Sequence, residues 1–159
     1  MYYLVLLFLP CILKSPRPKL YSLLGVVLLI VFILVPGRAS SGRLTLTYLD
    51  VGEGAAMVIE TPDGEHILID GGGTNADPAA VGYNVVVPYL EHQGVKELTA
   101  VINTHPHADH GGGLLAVLAE IPTNQLLLAT GTETEFLTAE LLTEAHNNRV
   151  PVGFLSAGD

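Results

Sequence analysis

The chain has 159 residues, 49% of them apolar and 14% charged, with a formal net charge of −9; that length suits about one domain. Residues 1–43 hold five of the seven basic residues (Lys14, Arg17, Lys19, Arg38, Arg43) and no acid, whereas residues 44–159 hold all sixteen acids against Lys96 and Arg149, a net of −14. So acidic a body excludes a broad, nonspecific DNA-binding face, because phosphate binding needs Lys and Arg.

The front of the chain is apolar and basic. Tyr2–Leu13 is too short to span a bilayer and is interrupted by Pro10. Leu20–Pro36 runs 17 residues without a charge, near the lower limit for a spanning helix. The basic turn Lys14–Lys19 between them belongs in the cytoplasm by the positive-inside rule, which puts the body on the outer face. A cleaved signal peptide is the competing reading. Arg38 fits poorly in a small-residue cleavage site, and the first apolar segment precedes the charges, so a membrane helix is preferred. Cys11 is the only cysteine, which excludes an intrachain disulfide; in this setting it reads as an apolar side chain.

Residues 37–43 have linker composition, and the body, 44–159, follows. Leu44–Leu49 alternates apolar and polar, the period of a half-buried strand. Ala56–Glu60 and His66–Asp70 flank a Pro-Asp-Gly turn and predict an antiparallel hairpin. Gly71–Pro78 reads as a loop. A helix is expected around Val86–His92, with Pro88 in its first turn. Leu98–Ile102 is apolar enough for a strand buried on both faces. Leu114–Glu120 reads as a helix, Gln125–Ala129 as a strand, Glu133–Asn147 as a helix and Val150–Leu155 as a strand. Strands come first, then strand and helix alternate, which predicts an α/β (α+β) class. Ala157-Gly158-Asp159 resembles a turn with no closing pattern, so the chain is expected to be a truncated one.

Thr104-His-Pro-His-Ala-Asp-His110 packs three imidazoles and a carboxylate behind the apolar strand and ahead of Gly111-Gly112-Gly113. These are the side chains that ligate zinc and related divalent ions. His105 and His107 are two apart, which in an extended segment puts both rings on one side. Asp109 and His110 follow where the chain bends towards a helix. Two donors on one side and two around the bend suit two ions about 3.5–4 Å apart. The three glycines are expected to let the backbone turn tightly. A His-rich surface loop is the bland alternative, and this density of ligands argues against it. His66 reads as an edge residue, and His92 and His146 as helix C-terminal residues.

The pattern His105-x-His107-x-Asp109-His110 after an apolar strand resembles the signature of the metallo-β-lactamase superfamily. Tyr48-Leu-Asp-Val-Gly-Glu-Gly54, Leu68-Ile-Asp-Gly-Gly72, Val87-Pro-Tyr-Leu90 and Thr104–Gly112 together resemble the extracellular domain of ComEC-type competence proteins. The resemblance implies the N-terminal half of a four-layer αββα sandwich, preceded by a membrane helix. It implies that His105 and His107 bind one metal and that Asp109 and His110 bind a second, the ions being Zn or Mn. Asp109 would also act in catalysis, and Asp70 and Asp50 would lie just behind the ligands. The family's block around Asp50 has Gln and a second Asp where this chain has Glu53 and Ala55. The family's further ligands come from the second half of the sandwich, and no match for them follows residue 110.

A metal-dependent phosphodiesterase acting on DNA at the outer face of the cell membrane is therefore expected, with DNA as substrate and other DNA-uptake components as possible partners. The alternatives are a membrane-anchored remnant that binds metal weakly or not at all, and a hydrolase of the same fold acting on another substrate.

Overall fold

The computed structural model describes residues 24–27, 42–156 and 158. The chain divides into two compact units, 1–39 and 40–159. In the first, residues 24–27 are helical. Among the described residues no helix is long and apolar enough to cross a membrane. Apart from residues 24–27, the expected spanning segment Leu20–Pro36 lies outside the described residues, as does Tyr2–Leu13.

The second unit is built on one mixed sheet of six strands in sequence order. They are β1 (Thr45–Tyr48), β2 (Met57–Glu60), β3 (His66–Ile69), β4 (Ala100–Asn103), β5 (Leu126–Ala129) and β6 (Val152–Leu155). β1, β2 and β3 pair antiparallel, and β3 to β6 pair parallel. The change of direction follows from the connections. A tight turn can join only antiparallel strands, whereas parallel neighbours need a crossover. The turn between β2 and β3 closes through Thr61 N–H to Glu65 O (2.9 Å) and Gly64 N–H to Thr61 O (2.9 Å).

Three crossovers carry helices. A π-helical turn (Gly82–Val86) runs into α1 (Val87–His92), α2 (Ala108–Glu120) follows β4, and α3 (Phe136–Asn147) follows β5. Pro88 stands in the first turn of α1, as expected, at the junction with the π-helical turn. α2 packs against β4, the π turn, α1 and α3.

The register explains the core. Val58, Leu68, Val101 and Leu126 pair across four adjacent strands, and all four are buried with Leu114, Val117 and Leu141 of the helices. Their alternation partners point to the opposite face, as the two-residue period of a strand requires. That face carries Met57, Ile59, Ile67, Ile69, Ile102 and Leu127, none of which packs on the core. β1 departs from its expected half-buried state: Leu46 is 53% exposed and Tyr48 76%. It is one of the two edge strands, and its apolar residues share that second face.

Gly111-Gly112-Gly113 is not a turn. All three lie inside α2 and are buried. Glycine weakens a helix by about 1 kcal/mol relative to alanine, so another requirement keeps these residues small. A Cβ on Gly113 would collide with the carbonyl of Gly71, and one on Gly71 would stand 2.7 Å from the Leu114 nitrogen. The loop after β3 therefore lies directly on the first turns of α2, backbone against backbone. Gly71 N–H donates to His110 O at 2.6 Å and Gly113 N–H to Gly72 O at 2.7 Å. Gly113→Ala is expected to destabilise the fold by about 1–3 kcal/mol, as overpacking does, despite the gain in helix propensity. Urea denaturation checks it; a midpoint at or above wild type would contradict the close approach.

Candidate metal centre

β4 ends at Asn103, and the chain turns through Thr104 and Pro106 into α2. Pro106 holds the residue before it away from helical geometry, so the helix cannot begin earlier than the turn. His107 is the N-cap, extended at φ −89° and ψ 148°. Its carbonyl accepts from His110 N–H (3.0 Å) and Gly111 N–H (2.8 Å), and no side chain caps the helix. Asp109 and His110 thus sit in the first turn of α2, where the helix dipole favours negative charge.

The parallel register Ile69↔Ile102 brings Asp70 alongside Asn103 and Thr104. Asp70 is 3% exposed and has a left-handed backbone, φ 56°, uncommon for a residue with a Cβ. Its N–H donates to Ile102 O at 2.9 Å. Its carboxylate takes four donors. Oδ1 accepts from Asn103 Nδ2 (3.2 Å) and Thr104 N–H (2.8 Å). Oδ2 accepts from Thr104 Oγ1 (2.6 Å) and faces His110 Nδ1 at 2.9 Å.

Three imidazoles gather around this point. The ring centroids of His105 and His110 are 3.9 Å apart, and those of His105 and His107 are 4.8 Å apart, edge to face. His110 Nε2 is 3.6 Å from Asp109 Oδ2. One ligand atom each from Asp70, His105 and His110 lies within 4.8 Å of the others, a group that could hold a metal ion. Within it Asp70 differs from the histidines. Both its oxygens are already engaged, so its stronger role is to orient His110, as outer carboxylates do for metal-binding imidazoles. The donor set as a whole, imidazole nitrogen with carboxylate oxygen, is of the kind that binds divalent transition-metal ions.

His107 and Asp109 line a cleft of about 530 Å³, together with Asn75, Glu135, Phe136 and Glu140 among others. Among the described residues, no Lys or Arg lines it. The cleft would repel an anion unless a bound cation offset those carboxylates.

The other sequence candidates fall as follows. Asp50 is exposed, and its Oδ1 accepts from Gly52 N–H at 3.4 Å rather than from any residue of the histidine cluster. Its loop still reaches the site through the backbone, because Ala55 N–H donates to Asp109 O at 3.2 Å. His66 opens β3, and His92 and His146 occupy the last turns of α1 and α3, as expected. Sequence reasoning assigned no role to Asn103 or Thr104. Their only signal was position, immediately before the histidines at the end of a buried strand.

With this geometry in place, the family is clear. Residues 49–149 match the model of the metallo-beta-lactamase superfamily, and the chain belongs to that superfamily. Within it, the chain is related to the ComEC-type competence proteins. It is 27% identical to ComE operon protein 3 of Bacillus subtilis (strain 168) over 168 residues, covering 98% of this chain. It is 30% identical to competence protein ComA of Neisseria gonorrhoeae over 82 residues, covering 52% of this chain. The chain spans 21% of the first relative's length and 11% of the second's. Among solved structures it is similar to a diphosphatase of the PhnP family (20% identity, 64% of this chain, 36% of that one, TM-score 0.37). It is also similar to a metallo-beta-lactamase from Hirschia baltica (18% identity, 72% of this chain, 47% of that one, TM-score 0.39).

Asp70→Asn retains a residue that tolerates the left-handed backbone but replaces one accepting oxygen with a donor. It is expected to cost about 1–3 kcal/mol of stability, because a buried polar contact becomes a mismatch. Chemical denaturation without added metal measures this, and an unchanged midpoint would contradict the role of Asp70 as acceptor.

Proposed function

We propose that this chain supplies the first half of a two-metal phosphodiesterase site, acting on DNA at the outer face of a membrane. The observation that carries the proposal is the convergence of His105, His107, Asp109 and His110 at the end of β4, with His110 held from behind by Asp70. His105 and His107 would hold one ion, Asp109 and His110 the second. Two such ions, zinc or manganese, supply Lewis acidity and a nucleophilic water near neutral pH. Asp109, with its side chain 44% exposed, would accept a hydrogen bond from such a water and orient it. Membership of the superfamily supports the metal chemistry, and relatedness to competence proteins supports DNA as the substrate. The second, apolar face of the sheet supports an αββα sandwich, with a further sheet covering Ile59, Ile69 and Ile102 and bringing the remaining ligands.

One observation favours a second reading, a binding remnant with little metal. Ala55 borders the site, as its bond to the Asp109 carbonyl establishes, and it lacks the carboxylate that the resembling block carries there.

Metal content and cleavage separate the two. With the completing sheet present in the polypeptide, added Zn²⁺ or Mn²⁺ is expected to support cleavage of single- or double-stranded DNA. A chelator should abolish it, and His107→Ala should remove it. Clearly less than one ion per chain after loading would support the remnant. A His107→Ala variant as fast as wild type would overturn the proposal.

A further inference from the structure

The hydroxyl of Thr104 lies between Asp70 and His105. Its Oγ1 is 2.6 Å from Asp70 Oδ2 and 3.0 Å from His105 Nδ1. A threonine hydroxyl has one proton to donate and two lone pairs to accept with. A carboxylate only accepts, and 2.6 Å falls within the short range of a hydroxyl donating to one. The single proton therefore goes to Asp70. Towards His105, Thr104 can only accept, so His105 Nδ1 must carry the hydrogen. The same carboxylate oxygen faces His110 Nδ1 at 2.9 Å and accepts from it.

We infer that Thr104 is a positioning residue that sets the tautomer of His105. Asp70 polarises two imidazoles at once, His110 directly and His105 through the Thr104 hydroxyl. Both rings then present an unprotonated Nε2 with its lone pair free for a metal ion. Among the described residues, no hydrogen bond holds the ring of His107, which stands nearly perpendicular to that of His105. Its tautomer is therefore left open, and it can bind through either nitrogen. The site thus combines two preset imidazoles with one adaptable one. This deepens the metal-binding reading, but the tautomers are a property of the metal-free protein.

Histidine ¹⁵N spectra of the metal-free protein test it, together with zinc affinity. In the wild type, His105 and His110 are expected as Nδ1–H tautomers, and His107 as a mixture. Thr104→Val removes the acceptor at nearly the same size. His105 should then become a mixture while His110 stays Nδ1–H, and zinc affinity should fall about 10–100-fold, as for other outer-shell losses. Thr104→Ser should restore both. A wild-type His105 protonated at Nε2 would overturn the inference, even if Thr104→Val failed to fold. So would a Thr104→Val protein with unchanged tautomer and affinity. Wild-type tautomers as expected without zinc binding would sink the metal reading and leave the hydrogen-bond relay standing.

Discussion

The buried carboxylate of Asp70 is the constraint on which the site depends. A non-glycine residue in the left-handed region costs on the order of 1 kcal/mol or more, and Asp70 adopts it at φ 56°. The four donors around its oxygens hold it there. They come from the end of β4, the turn after it and the first turn of α2, so one side chain ties together three consecutive pieces of the metal-binding segment. The parallel pairing of β3 with β4 is what delivers Asp70 to that position. Without that register, the histidines would remain close in sequence but would lose the group that orients them.

The glycines serve the same end by different means. Gly71 and Gly113 let the loop after β3 rest on α2 with no side chain between. The loop before β2 reaches the same segment through Ala55 and the Asp109 carbonyl. The candidate histidine ligands are thereby mounted on backbone that is braced from two sides, the kind of rigid support that holds a site to its geometry. The charge of the surroundings is the counterpart. Asp109, Glu135 and Glu140 line the cleft, and no Lys or Arg among the described residues lines it with them. In such a setting, attraction for an anionic substrate has to come from bound metal rather than from the protein surface.

Much of this was legible from the sequence because it was written in chemistry or in period. Three imidazoles and an aspartate within seven residues point to metal whatever the fold. The Pro-Asp-Gly turn and the alternating apolar runs predict the hairpin and the α/β order. Elements that depend on tertiary contact were harder. The glycines at 111–113 suggest a turn locally, yet all three lie in a helix, and Gly112 and Gly113 stay small because the loop at Gly71–Pro78 packs directly on them. β1 alternates like a half-buried strand, but at the edge of the sheet its Leu46 and Tyr48 are exposed. Thr104 was invisible as a functional residue, because its role is a direction of hydrogen bonding that only atomic positions reveal. Asp50, grouped with Asp70 by resemblance, turned out to meet the site through its loop's backbone and not through its carboxylate.

The central claim is that these histidines form a metal shell. X-ray absorption at the zinc edge of the zinc-loaded protein tests it most directly. The account predicts a first shell of nitrogen and oxygen at about 2.0–2.2 Å, with the outer scattering of at least two imidazole rings. A shell without imidazole scattering, or zinc that washes away on dialysis, would contradict it.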